Sequence, residues 1–94
     1  SKMGKTQLFA HFSEKFNMTR SEVRDVFDEL QRLAEEQLKA SGEFTLPGMV
    51  KLVRQARPAR MGRNPATGEQ IQIQAKTVVK ARIAKQLKDA VLAP

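Results

Sequence analysis

Arginines stand at every third position at Arg54, Arg57, Arg60 and Arg63. Each guanidinium is a planar fork of donors matched to paired oxygens on phosphate or carboxylate groups. On an extended chain rising about 3.3 Å per residue, the set would span about 30 Å. That length suits tracking along a polyanion better than gripping a single point. Downstream, Gln70, Gln72 and Gln74 alternate with Ile71 and Ile73, so one strand face offers uncharged donors and acceptors and the other is apolar. Between them lie Asn64-Pro65 and Thr67-Gly68, both with turn chemistry. The spacing predicts a long hairpin over residues 50–75. It has a basic strand, a proline near its tip and an amide-bearing return strand.

Nothing in the chain predicts an active site. There is one histidine, His11, and cysteine, tyrosine and tryptophan are absent. Acidic residues cluster in "RSEVRDVFDELQRLAEE" at helical spacing, the usual pattern of a solvated helix face. No glycine-rich phosphate loop and no metal-ligand spacing occur. We therefore expect no enzyme activity, no cofactor, no metal and no small-molecule substrate.

Charge is more informative. Residues 1–46 hold seven Lys/Arg against eight Asp/Glu, whereas residues 47–94 hold ten against two. Solubility alone needs no such segregation of signs. The polycationic half points to an anionic partner, with nucleic acid first and an acidic membrane surface second. The ribbon carries no aromatic residue, which weakens any reading based on stacking single-stranded bases. No apolar run reaches the roughly 18 residues of a membrane span, and "SKMGKTQLF" has no secretory apolar region. The absence of cysteine fits a reducing compartment.

The elements that would position these groups are legible. Leu8, Phe9, Phe12 and Phe16 give one apolar face to a helix over about Thr6 to Phe16. Thr19 and Glu22 form a T-x-x-E box opening a second helix, which runs to about Ala40 and stops at Gly42. "EFTL" reads as a strand, Pro47-Gly48 as a turn and "MVKLVRQA" as the next strand. "KTVVKARI" reads as a further strand and "AKQLKDAVL" as a closing helix, for an α+β order ααβββα. Pro58 lacks an amide donor, so it fits the ribbon only with its nitrogen facing outward. At 94 residues the core of a lone chain is marginal. The phenylalanines at 9, 12, 16 and 27 exceed what one helical hairpin can bury, and a homodimer would resolve this.

Pro65 leaves two readings open. Its rigid ring could stiffen a turn, or it could wedge between base pairs, an unstacking that costs a few kcal/mol and is offset by contact with bent DNA. Residue chemistry alone weighs toward the turn.

The stretch "GRNPATGEQIQIQA" at 62–75 resembles the arm signature of the bacterial HU and integration host factor family, with its G-R-N-P-x-T-G-E core. "KTQL" at 5–8 and "LKDAV" at 87–91 are similar to that family's opening and closing helices. The resemblance implies an intertwined homodimer, with a heterodimer also open. Residues 1–42 would form its helical dimerisation base, 43–82 a β-saddle carrying an arm at 54–74, and 83–94 the C-terminal helix. It further implies cytoplasmic, nucleoid-associated binding of double-stranded DNA, without membrane. The two arms would enter the minor groove, each with Pro65 intercalating beside Arg63 and Asn64. The implied DNA-binding set is Lys5, Lys51, Arg54, Arg57, Arg60, Arg63, Asn64, Pro65, Thr67, Gln72, Gln74, Lys76, Lys80, Arg82 and Lys85. The chain departs from the family pattern in three places. "LPGMVKL" stands for the usual G-F-G turn, Ala81 stands where many relatives have phenylalanine, and Ile83-Ala84 replaces a proline-glycine.

Overall fold

The computed structural model describes residues 2–94, which divide into two compact units at the boundary between Glu36 and Gln37. In the first unit, α1 spans Lys5–Lys15, one residue earlier at each end than the periodicity predicts. It ends because Asn17 takes a left-handed φ of 52° and the Met18 amide donates to the Ser13 carbonyl at 3.0 Å, a Schellman closure. The next helix, α2 (Arg20–Ala40), starts at the expected box. The Glu22 amide donates to Thr19 Oγ1 at 3.0 Å, and the Thr19 amide donates to Glu22 Oε1 at 2.9 Å. These bonds hold the Glu22 carboxyl below its usual range, the Thr19 backbone donor contributing most. On the polar face Arg32 bridges Glu29 and Glu36, each at 2.7 Å.

The apolar stripes meet through aromatic rings. Phe9 stacks on Phe27 at 5.1 Å between centroids, Phe12 meets Phe27 edge-on at 5.6 Å, and Phe12 stacks on Phe16 at 5.8 Å. This cluster does not close. Phe12, Phe16, Met18, Val23, Val26, Phe27 and Leu30 line an open, wholly apolar groove of about 360 Å³. Phe16 is 58% exposed and Val26 54% exposed, and among the described residues Val23 alone is a fully buried hydrophobic side chain.

The second unit begins in the last turn of α2. The Ser41 and Gly42 amides both donate to the Gln37 carbonyl, and Gly42, at φ 81°, turns the chain into a strand. The expected three strands are five segments: β1 (Glu43–Leu46), β2 (Val50–Arg57), β3 (Arg60–Arg63), β4 (Gln70–Ile73) and β5 (Lys76–Ile83). One three-stranded antiparallel sheet has the order β1-β2-β5, and β3 and β4 form a separate pair. The hairpin is thus longer than the predicted 50–75. "KTVVKARI" is no third partner beside it but the lower half of its own return strand, with Val50 opposite Ile83 and Arg57 opposite Lys76. The alternation in "QIQIQ" hid this, because it marks a strand but not its partner.

Leu46-Pro47-Gly48-Met49 is a tight turn closed by the Met49 amide on the Leu46 carbonyl at 3.0 Å, with Gly48 at φ 77°. Proline then glycine at its centre is type II chemistry. The Met49 carbonyl accepts the Ala84 amide at 2.8 Å, tying this turn to the start of α3 (Lys85–Leu92). Among the described residues no helix is long and apolar enough to cross a membrane.

Candidate nucleic-acid interface

Directly opposed residues in an antiparallel sheet share a face. The rows Glu43–Val53–Lys80 and Thr45–Lys51–Arg82, with the pairs Gln55–Val78 and Arg57–Lys76, therefore lie on one side of the three-stranded sheet. Phe44–Leu52–Ala81 and Leu46–Val50–Ile83 lie on the other, followed by Arg54–Val79. The sheet is amphipathic. Lys51, Arg57, Lys76, Lys80 and Arg82 form a cationic face, and only Lys51 among them has an ion-pair partner in the described residues, Glu43 at 3.4 Å. Ala81 sits in the same row as Phe44, so bulk in that row comes from β1.

The sequence spacing of three does not line the arginines up, because strands alternate faces with period two. Arg54 lies on the apolar side and Arg57 on the cationic side. Beyond Arg57 the ladder is interrupted. Pro58, Ala59, Gln74 and Ala75 belong to no strand, although the register resumes unshifted at Arg60 opposite Ile73.

What changes across the gap is the hydrogen-bond phase. The Ala84 amide bonds the Met49 carbonyl, and the Arg54 amide bonds the Gly42 carbonyl at 2.8 Å on the β1 side. Odd-numbered β2 residues therefore point their amides at β5. At the tip the Asn64 amide bonds the Glu69 carbonyl at 2.8 Å, so in the arm the even-numbered residues bond across. In the arm's phase, position 58 would have to donate an amide to Ala75. Proline cannot, and the phase change falls there. Arg57, Pro58, Arg60, Ile73, Gln74 and Lys76 line a hollow of about 330 Å³ at this elbow. Gln74 thus leaves the glutamine face predicted for it and joins Ile73 at the hollow.

In the arm, Met61 opposes Gln72 and Arg63 opposes Gln70 on one face, with Gly62 opposite Ile71 on the other. A Cβ on Gly62 would lie 2.8 Å from Ile73 Cδ1. The tip is a closed loop. Gly68 at φ 76° donates its amide to the Asn64 carbonyl at 2.7 Å, and Asn64 Oδ1 accepts the Ala66 amide at 2.9 Å. Thr67 Oγ1 accepts the Glu69 amide at 3.3 Å. The Asn64 carbonyl group and the Thr67 hydroxyl thus shape the turn, and Pro65 is left exposed at its apex.

Of the expected site, Lys51, Arg57, Lys76, Lys80 and Arg82 come together on one sheet face and elbow, joined there by Arg60 and Gln74. Arg54 stands on the opposite face, and Gln72 shares an arm face with Arg63. Lys85 pairs with Asp89 at 3.2 Å on α3. Lys5 belongs to the first unit, its Nζ 5.6 Å from the centre of the Phe9 ring. Pro58 and Ile73 were not foreseen as part of the site. Their signal, a proline where the ladder must change phase, is visible only once the pairing is known.

Residues 3–92 match the family described as Bacterial DNA-binding protein. The SPbeta prophage-derived DNA-binding protein HU 2 of Bacillus subtilis is 40% identical over 95 residues, covering 97% of this chain and 99% of that one. DNA-binding protein HU-1 of Halalkalibacterium halodurans is 35% identical over 89 residues, covering 95% and 99%. An Anabaena HU–DNA cocrystal structure superposes with a TM-score of 0.74 at 28% identity, covering 98% of this chain and all of that chain.

Proposed function

Since the chain belongs to the family of bacterial DNA-binding proteins, we propose that it is a histone-like, nucleoid-associated protein that binds and bends duplex DNA as a homodimer. The observation that carries this reading is the amphipathic sheet. Among the described residues, Lys80, Arg82, Lys76 and Arg57 share one face without carboxylate ion-pair partners, and that face leads through the elbow into the arm. Such a surface neutralises phosphates without reading bases, so affinity is insensitive to sequence and sensitive to salt. The arm, tipped by exposed Pro65, enters the minor groove. There the proline ring unstacks a base step while Arg63 and the Asn64 amide nitrogen hold the flanking backbone.

Residues 1–42 serve as the dimerisation base, 43–82 as the saddle with its arm at 54–74, and 83–94 as a flanking helix. The open groove of the helical hairpin supports the dimer. Seven apolar side chains line it with no polar surface, and a second copy presents the same groove in return, as a two-fold interface requires.

The test is duplex binding across a salt series. With about six to eight phosphates engaged, log K should fall with log salt at a slope of about −5 to −7. Random and A·T-rich duplexes should compete within a few-fold of each other. A slope near zero would remove the phosphate mechanism, and strong preference for one site would replace it with shape-selective bending.

A further inference from the structure

We infer that the elbow at Pro58 is a discrete seat for one backbone phosphodiester, built by the change of hydrogen-bond phase between the sheet and the arm. The inference deepens the DNA-binding reading and rests on it. In an unbroken ladder two residues three apart face opposite ways. Arg54 and Arg57 obey this rule. Arg57 and Arg60 do not, because the cross-strand bonds pass from odd to even residues between them, and both residues line one hollow with Lys76.

That hollow holds three cations and no carboxylate, and none of the three has an ion-pair partner among the described residues. Gln74 adds an amide, while Pro58 and Ile73 supply apolar walls suited to a deoxyribose. A neighbouring hollow of about 290 Å³ shares Arg57, Pro58 and Lys76 but lacks Arg60, so the convergence of both arginines is specific to the first. The ligand class is a phosphate diester with its sugar. Two forked guanidinium groups on one phosphate act as a unit, so removing either loses most of what the pair provides.

The experiment compares two arginine pairs of identical spacing. Arg57→Gln, Arg60→Gln and their double variant are set beside Arg54→Gln and the Arg54→Gln/Arg57→Gln double variant, and duplex affinity is measured across a salt series. If Arg57 and Arg60 share one phosphate, each single variant weakens duplex binding severalfold, and the loss in their double variant falls well short of the product of the two. Arg54→Gln and Arg57→Gln should instead act independently, with multiplied affinity losses. Equal additivity in both pairs overturns the shared seat while leaving DNA binding intact. No duplex binding by the unaltered protein at any salt concentration overturns the functional reading itself, and the seat with it.

Discussion

Truncating Phe16 tests whether the helical hairpin is half of a larger core. In the single chain this ring is 58% exposed and stacks only on Phe12 within the apolar groove. Were the chain monomeric, Phe16→Ala would sacrifice the minority of the ring that is covered, about 1 kcal/mol of area burial. If a second copy closes the groove, the ring is core, and the same change costs about 3–5 kcal/mol per chain. Two copies lie in each dimer, so at about 3 kcal/mol each the dissociation constant rises by roughly four decades. Sedimentation equilibrium would then show the parent protein as a dimer at micromolar concentration and the variant as mostly monomer. The parent's thermal midpoint should also rise with concentration, as expected when assembly and folding are linked. A parent sedimenting at 10.6 kDa across that range, with a midpoint independent of concentration, would refute the reasoning.

Pro65→Ala should retain most of the duplex affinity while reducing bending measured by fluorescence transfer between duplex ends; an unchanged bend would remove the wedge role. Thr19→Ala should cost about 1 kcal/mol of stability as a lost N-cap, read by denaturant midpoint. Because the Glu22 carboxyl is held below its ordinary range by the Thr19 donors, the stabilisation from that contact is present at neutral pH. It is lost on acidification through the depressed value, so the stability gap between parent and Glu22→Ala, which removes the carboxylate that the Thr19 amide holds, should narrow in acid. A gap that widens would contradict the cap.

The elements whose physics is local were readable from the chain. The T-x-x-E box sits where the bonds place it, Gly42 and Gly48 take the left-handed conformations their positions suggested, and the alternation in "QIQI" is a strand. Pairing was not readable. The sequence marks "MVKLVRQA", "GEQIQIQA" and "KTVVKARI" as each extended, but a strand pattern carries no address for its partner. Hence the alternation ends the return strand at residue 75, and the reading of Arg54, Arg57, Arg60 and Arg63 along one strand and its tip does not show that the pairing divides them between faces. The cationic sheet face of Lys51, Lys80 and Arg82 depends on register, a non-local quantity. Pro58 was recognised as an exception to strand chemistry. That it would reset the bonding phase, and so gather Arg57 with Arg60, needed both flanking pairings.

Gly62 has a consequence for the width of the finger. The minor groove of ordinary B-form DNA is about 6 Å wide, and the Ile73 tip occupies the space a side chain at Gly62 would take. Any larger residue there forces that methyl sideways and fattens the probe just behind its apex. Slenderness at this point is supplied by a missing atom, so under the proposed minor-groove entry of the arm a single added carbon should hinder insertion without altering any charge.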